Sequence, residues 1–136
     1  MFMDFPLDMH KNAFKASVAG LCAGDQGKFW EMNKKLFNNP TNKPTWLEPE
    51  NLLKIAEELG LNMTSFKACF DSGKHDGEIK QRMAEGQNKA GLTGTPGFLL
   101  GFIQPDGNVK ATKKIVGAGP FSNFKNAIDE MLSKGK

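Results

Sequence analysis

Two cysteines and two histidines are the side chains of this sequence best suited to nucleophilic, redox or metal chemistry. Their spacing argues against the commonest arrangements. Cys22 and Cys69 lie far apart and there is no C-x-x-C pair. A thiolate poised for exchange usually has its resolving cysteine close by. Two distant thiols with His10 and His75, also distant from each other, do not form the short ligand clusters of a zinc set, so no metal is expected. Each cysteine sits on an apolar helical face. Two readings therefore stay open: a pair of buried inert thiols, or a bridge between two helices. A redox-active role for the pair ranks below both.

A second stretch with chemical potential is "GLTGTPGFLLGF", Gly91 to Phe102. Pro96 stands at the head of a run that reads as a buried strand, although proline has no N–H to give a ladder. One reading is a cis Thr95–Pro96 bond that turns the chain and leaves the Thr95 backbone facing outward, free to pair with an extended peptide. The other is a trans proline at a strand start with no binding role. Local sequence leaves both standing.

The elements that must hold these residues follow from hydrophobic period. "FMDFPL" is β-prone and broken by Pro6, so residues 1–7 read as the end of a strand. From His10 the period becomes helical, with Phe14, Val18, Leu21 and Cys22 on one face, until Gly24-Asp25 breaks it. "QGKFWEMNKKLF" begins a second helix with an apolar face of Phe29, Trp30, Leu36 and Phe37. "NNPTNKPT" is a loop. "LEPENLLKIAEELG" is a third helix, with Pro49 in the first turn and Gly60 at the end. A fourth carries Phe66, Cys69 and Phe70 on one side and stops at Gly73. "HDGEIKQRMAEGQNKAG" is a fifth, facing inward with Ile79, Met83 and Ala90. The period then turns to two. "GFLLGFI" and "VKATKKIVG" are strands joined by a turn carrying Asp106-Gly107, and a last helix buries Phe121, Phe124, Ile128 and Met131 or Leu132. His10 is either a residue facing a site or a surface or capping histidine. His75, between Lys74 and Asp76, reads as surface at a helix start.

Composition narrows the classes. Of 136 residues, 39% are apolar and 24% charged, enough for one globular domain with its own core. The net charge of +3 comes from lysines spread along the chain, a solvated surface and not a nucleic-acid patch. No apolar run reaches membrane-spanning length, so membrane insertion is not expected. The opening "MFMDFPLDMH" has neither the basic n-region nor the apolar h-region of a signal peptide, so the expectation is either a cytoplasmic chain or a mature or trimmed piece of an exported protein.

In order along the chain, "DFPLDMHKNAFKAS", "CAGDQGKFWEMNKKLF", "LGLNMTSFKACFDSGKH", "GLTGTPGFLLG" and "IVGAGPFSNFKNAID" resemble the DsbA-like thiol–disulfide oxidoreductases of the thioredoxin superfamily. The resemblance covers nearly the whole chain. It implies an α/β, mostly helical thioredoxin-like fold with a mixed sheet and the DsbA-type helical insertion. This would be a single domain over 1–136: a strand end (1–7), the insertion and following helix (8–91), then the cis-proline loop, hairpin and last helix (92–136). It implies that Gly94, Thr95 and Pro96 bind substrate, with the Thr95 backbone holding the peptide. It favours a structural disulfide between Cys22 and Cys69. Its partners are proteins or peptides carrying thiols or disulfides, its location periplasmic or otherwise extracytoplasmic, and it calls for no cofactor.

The family's first strand and C-x-x-C helix have no counterpart in these residues. The expectation is therefore a truncated chain, redox-inactive alone, with a sheet slot between "FMDF" and "GFLLGFI" that a second copy could fill. A non-catalytic peptide-binding or chaperone-like module is the alternative. A related glutathione transferase or isomerase fits the motifs less well.

Overall fold

The computed structural model describes residues 2–38 and 43–134. The described chain divides into two compact units, Met1–Met83 and Ala84–Lys136. The division falls inside a helix.

The first unit is helical. Helix α1 (Ala13–Gly24) is its hub: Ala16 and every residue from Val18 to Ala23 are buried. A helix apolar all round must be enclosed by neighbours, and here α2 (Phe29–Phe37), α3 (Pro49–Glu58), α4 (Met63–Ser72) and a 3-10 turn at Pro44–Leu47 pack around it. Phe66, Met32, Leu52, Ile55 and Ile79 complete the centre. Of the expected loop at 38–45, residues 39–42 lie outside the described residues, and the 3-10 turn is the feature the loop reading missed.

Helix ends follow local chemistry. Pro49 and Glu50 open α3, where a missing N–H and a negative charge both suit the first turn. Asn62 caps α4 by accepting the Ser65 N–H at 3.0 Å. Helix α2 corrects its sequence reading. Met32 is the buried residue, with Phe29 and Leu36 beside it, while Trp30 and Phe37 are 64% and 76% exposed. Positions 29, 32 and 36 form the i, i+3, i+7 stripe, and 30 and 37 lie off it.

Residues 2–7 are not a strand end. A strand exists by its ladder, and the sheet described has two antiparallel strands, which residues 2–7 do not join. Asp4 anchors this segment instead. Its buried carboxylate accepts from Arg82 Nη1 at 3.0 Å. Burial raises the Asp4 carboxyl above its ordinary range, against the opposing pull of a Ser17 hydrogen bond and of Arg82.

Helix α5 (Asp76–Ala90) begins in the first unit, burying Ile79, and ends in the second. There β1 (Gly97–Ile103) and β2 (Val109–Val116) form an antiparallel hairpin. Asp106 Oδ1 accepts the Asn108 N–H at 2.9 Å and Gly107 takes φ 81°, as the Asp-Gly signal predicts. A bulge lies between Leu100 and Gly101. Helix α6 (Phe121–Lys134) packs with Phe124, Ala127 and Met131. Phe121 and Ile128, expected inside, are 79% and 43% exposed, and of the two alternatives Met131 or Leu132 it is Met131 that packs, Leu132 being 59% exposed. The burying stripe is again i, i+3, i+7. Phe124 meets Phe98 edge-on, ring centroids 4.8 Å apart.

Candidate functional site

The loop at 91–96 is held at both ends. Helix α5 stops at Ala90, and Gly91 reverses the chain at φ 59°, a conformation open to glycine and costly for others. Lys114 on β2 donates to the Ala90 and Gly91 carbonyls at 3.0 and 3.1 Å, tying the helix end to the hairpin. At the far end Gly117 N–H donates to Pro96 O at 2.8 Å, extending the ladder by one bond beyond β1.

Between these anchors Thr95 is exposed, and neither its N–H nor its carbonyl has a hydrogen-bond partner among the described residues. The Thr95–Pro96 peptide bond is cis. Gly94 is half-buried and Pro96 exposed. On one side β1 pairs with β2, and its other edge has no partner strand among the described residues. Phe98, Leu99, Phe102 and Ile103 on that strand are each more than a third exposed. An open backbone edge with apolar side chains beside it can take an extended peptide as one more strand.

The cysteines lie elsewhere, in the first unit. Cys22 on α1 and Cys69 on α4 are joined by a disulfide, their Cα atoms 5.8 Å apart. Other bonds make the same connection. Gln26 Nε2 donates to Asn62 O at 3.3 Å while Asn62 N–H donates to Gln26 Oε1 at 2.8 Å, and Lys15 donates to Phe70 O at 3.2 Å.

Around the bridge stand charged groups that the sequence reading did not bring together. Asp25 Oδ2 lies 3.5 Å from Cys69 Sγ, 2.8 Å from Lys74 Nζ and 3.0 Å from His75 Nε2. The Lys74 ammonium first, then His75, hold the Asp25 carboxyl below its ordinary range. His75 Nδ1 lies 3.1 Å from Glu78 Oε2. His75 is not a surface residue: its side chain is 12% exposed, wedged between two carboxylates. One signal was present in the sequence. Asp25 follows Cys22 by three residues and so shares its helix face. His10 is exposed in the turn before α1, its N–H donating to Leu7 O at 2.9 Å.

The family model for the DSBA-like thioredoxin domain matches residues 1–129. The chain belongs to that family. Its α/β thioredoxin-like fold, mostly helical, follows from membership and from the elements described. Among curated proteins it is similar to the Na(+)/H(+) antiporter NhaA 3 of Salinispora tropica, 31% identical over 93 residues. It is also similar to the Na(+)/H(+) antiporter NhaA 1 of Salinispora arenicola, 32% identical over 93 residues. Each match covers 68% of this chain and 14% of the antiporter, so the chain spans about one seventh of the length of the curated relatives it matches. No solved structure matches. Among the described residues, no helix is long and apolar enough to cross a membrane.

Proposed function

We propose that this DSBA-like domain serves thiol–disulfide exchange in exported proteins, and that residues 1–136 supply the peptide-holding part. The observation that carries the reading is the exposed, unbonded Thr95 backbone beside the open edge of β1. Gly94 lets a guest chain approach closely, Thr95 offers one donor and one acceptor, and Pro96 ends the loop where the strand begins. The substrates are proteins or peptides with cysteine thiols or disulfides. Their main chain is bound through Thr95 and their side chains by the apolar rim of β1. Binding the main chain makes recognition tolerant of sequence, as an enzyme with many clients requires. The extracytoplasmic location rests on family membership and on the Cys22–Cys69 bridge, since disulfides persist in oxidising compartments.

These 136 residues contain no C-x-x-C, and both cysteines are used in the bridge. The chain by itself is therefore redox-silent toward proteins. That same fact favours a second reading, a non-catalytic peptide-binding or chaperone-like module. Reading the codons upstream of Met1 separates the two: a strand followed by C-x-x-C in frame supports the enzyme, and their absence supports the module. Antiporter activity is not proposed, because the match covers so small a share of those proteins. In a dithiol-driven insulin reduction assay, the purified chain is expected to leave the rate at that of buffer. A clear acceleration would overturn the claim of redox silence.

A further inference from the structure

Cys22, Cys69 and His75 are scattered in sequence but offer ligand atoms that all lie within 4.8 Å of one another. We propose that reduction of the Cys22–Cys69 bridge converts this cluster, with Asp25, into a tetrahedral site for a divalent cation of the zinc class. This inference concerns the first unit alone and stands independently of the peptide-binding reading.

The donors suit the ion. Two thiolates, an imidazole and a carboxylate are the ligand types that zinc takes in four-coordinate sites. Asp25 Oδ2 already lies near two of the three, 3.5 Å from Cys69 Sγ and 3.0 Å from His75 Nε2. His75 is oriented as a ligand by its other nitrogen. Nδ1 lies 3.1 Å from Glu78 Oε2, which would accept an Nδ1–H when Nε2 ligates, and Nε2 is 3.0 Å from Asp25 Oδ2. A carboxylate behind the histidine is the usual support for a metal-bound imidazole.

The geometry is within reach. Metal–sulfur bonds of about 2.3 Å at a tetrahedral centre place two sulfurs about 3.8 Å apart. Side-chain rotation can part the sulfurs to that distance, with the Cα atoms 5.8 Å apart on two packed helices. Lys74 opposes binding through its 2.8 Å contact with Asp25 Oδ2. Its side chain is 56% exposed and can swing into solvent at the loss of a surface ion pair. Cys22, Cys69, Asp25 and Lys74 line a surface cavity of about 670 Å³, which supplies the ion's route in.

The chemistry balances with a thiol reductant. A dithiol gives two electrons and two protons to the bridge, leaving two protein thiols and becoming a disulfide itself. The cation then binds both sulfurs as thiolates and releases two protons. The result is a second tie between α1 and α4 that persists when the first is broken.

Cobalt(II) is the probe. The protein is reduced with dithiothreitol, separated from it by gel filtration under argon, and titrated. One Co²⁺ per chain is expected, with a near-ultraviolet thiolate-to-cobalt band and the strong visible bands of a tetrahedral centre. The oxidised protein should show neither. His75→Ala keeps both thiols and is expected to weaken binding at least about tenfold. Absence of the thiolate band in the reduced protein would overturn the proposal. So would unchanged affinity in His75→Ala, which would mean that two thiols of a loosened chain suffice. Far-ultraviolet circular dichroism on the same samples guards against unfolding: a reduced protein that loses its helices and does not regain them with Co²⁺ also counts against the site.

Discussion

Glu130 sits between two lysines on the surface of the second unit. It accepts from Lys113 on β2 and from Lys134 at 2.7 Å on its own helix. Lys113 first, then Lys134, lowers its carboxyl from an ordinary 4.5 to about 2. A depressed folded value means that the unfolded chain takes up the proton first. The stability Glu130 lends is therefore complete above pH 4.5 and lost as pH falls toward about 2. Thermal melts across that range should show wild type losing more stability than Glu130→Gln; parallel losses would show that the contacts are too screened to matter. Single residues are also where sequence reading reaches least far. Thr95 and Pro96 are legible because a proline at a strand head breaks a local rule. His75 is not, because its two carboxylate partners define its setting and Asp25 is 50 residues away.

At the scale of elements, hydrophobic period locates the six α-helices and the hairpin of the described residues, and glycine and proline mark their ends. What period does not settle is which residues of a short helix face inward. In α2 and α6 the pattern assigns a large side chain to the core wherever it stands near the stripe, yet Trp30 and Phe121 lie outside it. Packing chooses the smaller Met32 and Ala127, which let the helices approach their neighbours closely. In the hairpin, the bulge at Thr112 of β2 brings the two strands close at Gly101. A Cβ added at Gly101 would lie 2.3 Å from the Lys110 carbonyl oxygen across the ladder. The neighbour is backbone and cannot rotate away. Gly101→Ala is expected to destabilise the protein by about 1–3 kcal/mol, the usual cost of overpacking. Chemical denaturation measures this, and a loss below about 0.5 kcal/mol would mean that the bulge relaxes freely.

The whole molecule reads as a helical unit carrying the disulfide and a hairpin unit carrying the Gly91–Pro96 loop, within one family domain. Family membership is legible because five motifs occur in order, each tied to a helix end, turn or strand head. The two-unit division is not, since α5 runs through the boundary without a break in its period. The open edge of β1 is the consequence with functional reach. A guest peptide would pair there, and a second copy of the chain would compete for the same edge at high concentration. Backbone amide NMR distinguishes these, because self-pairing moves β1 signals with protein concentration and guest binding moves them with peptide. The decisive experiment is a titration with an extended peptide whose single cysteine is S-methylated, so that binding occurs without exchange. The account predicts that the Thr95 amide shifts most and becomes protected from hydrogen exchange, with Gly94, Gly97 and Phe98 following. A saturable response that leaves Thr95 unmoved, or no response at all, would contradict it.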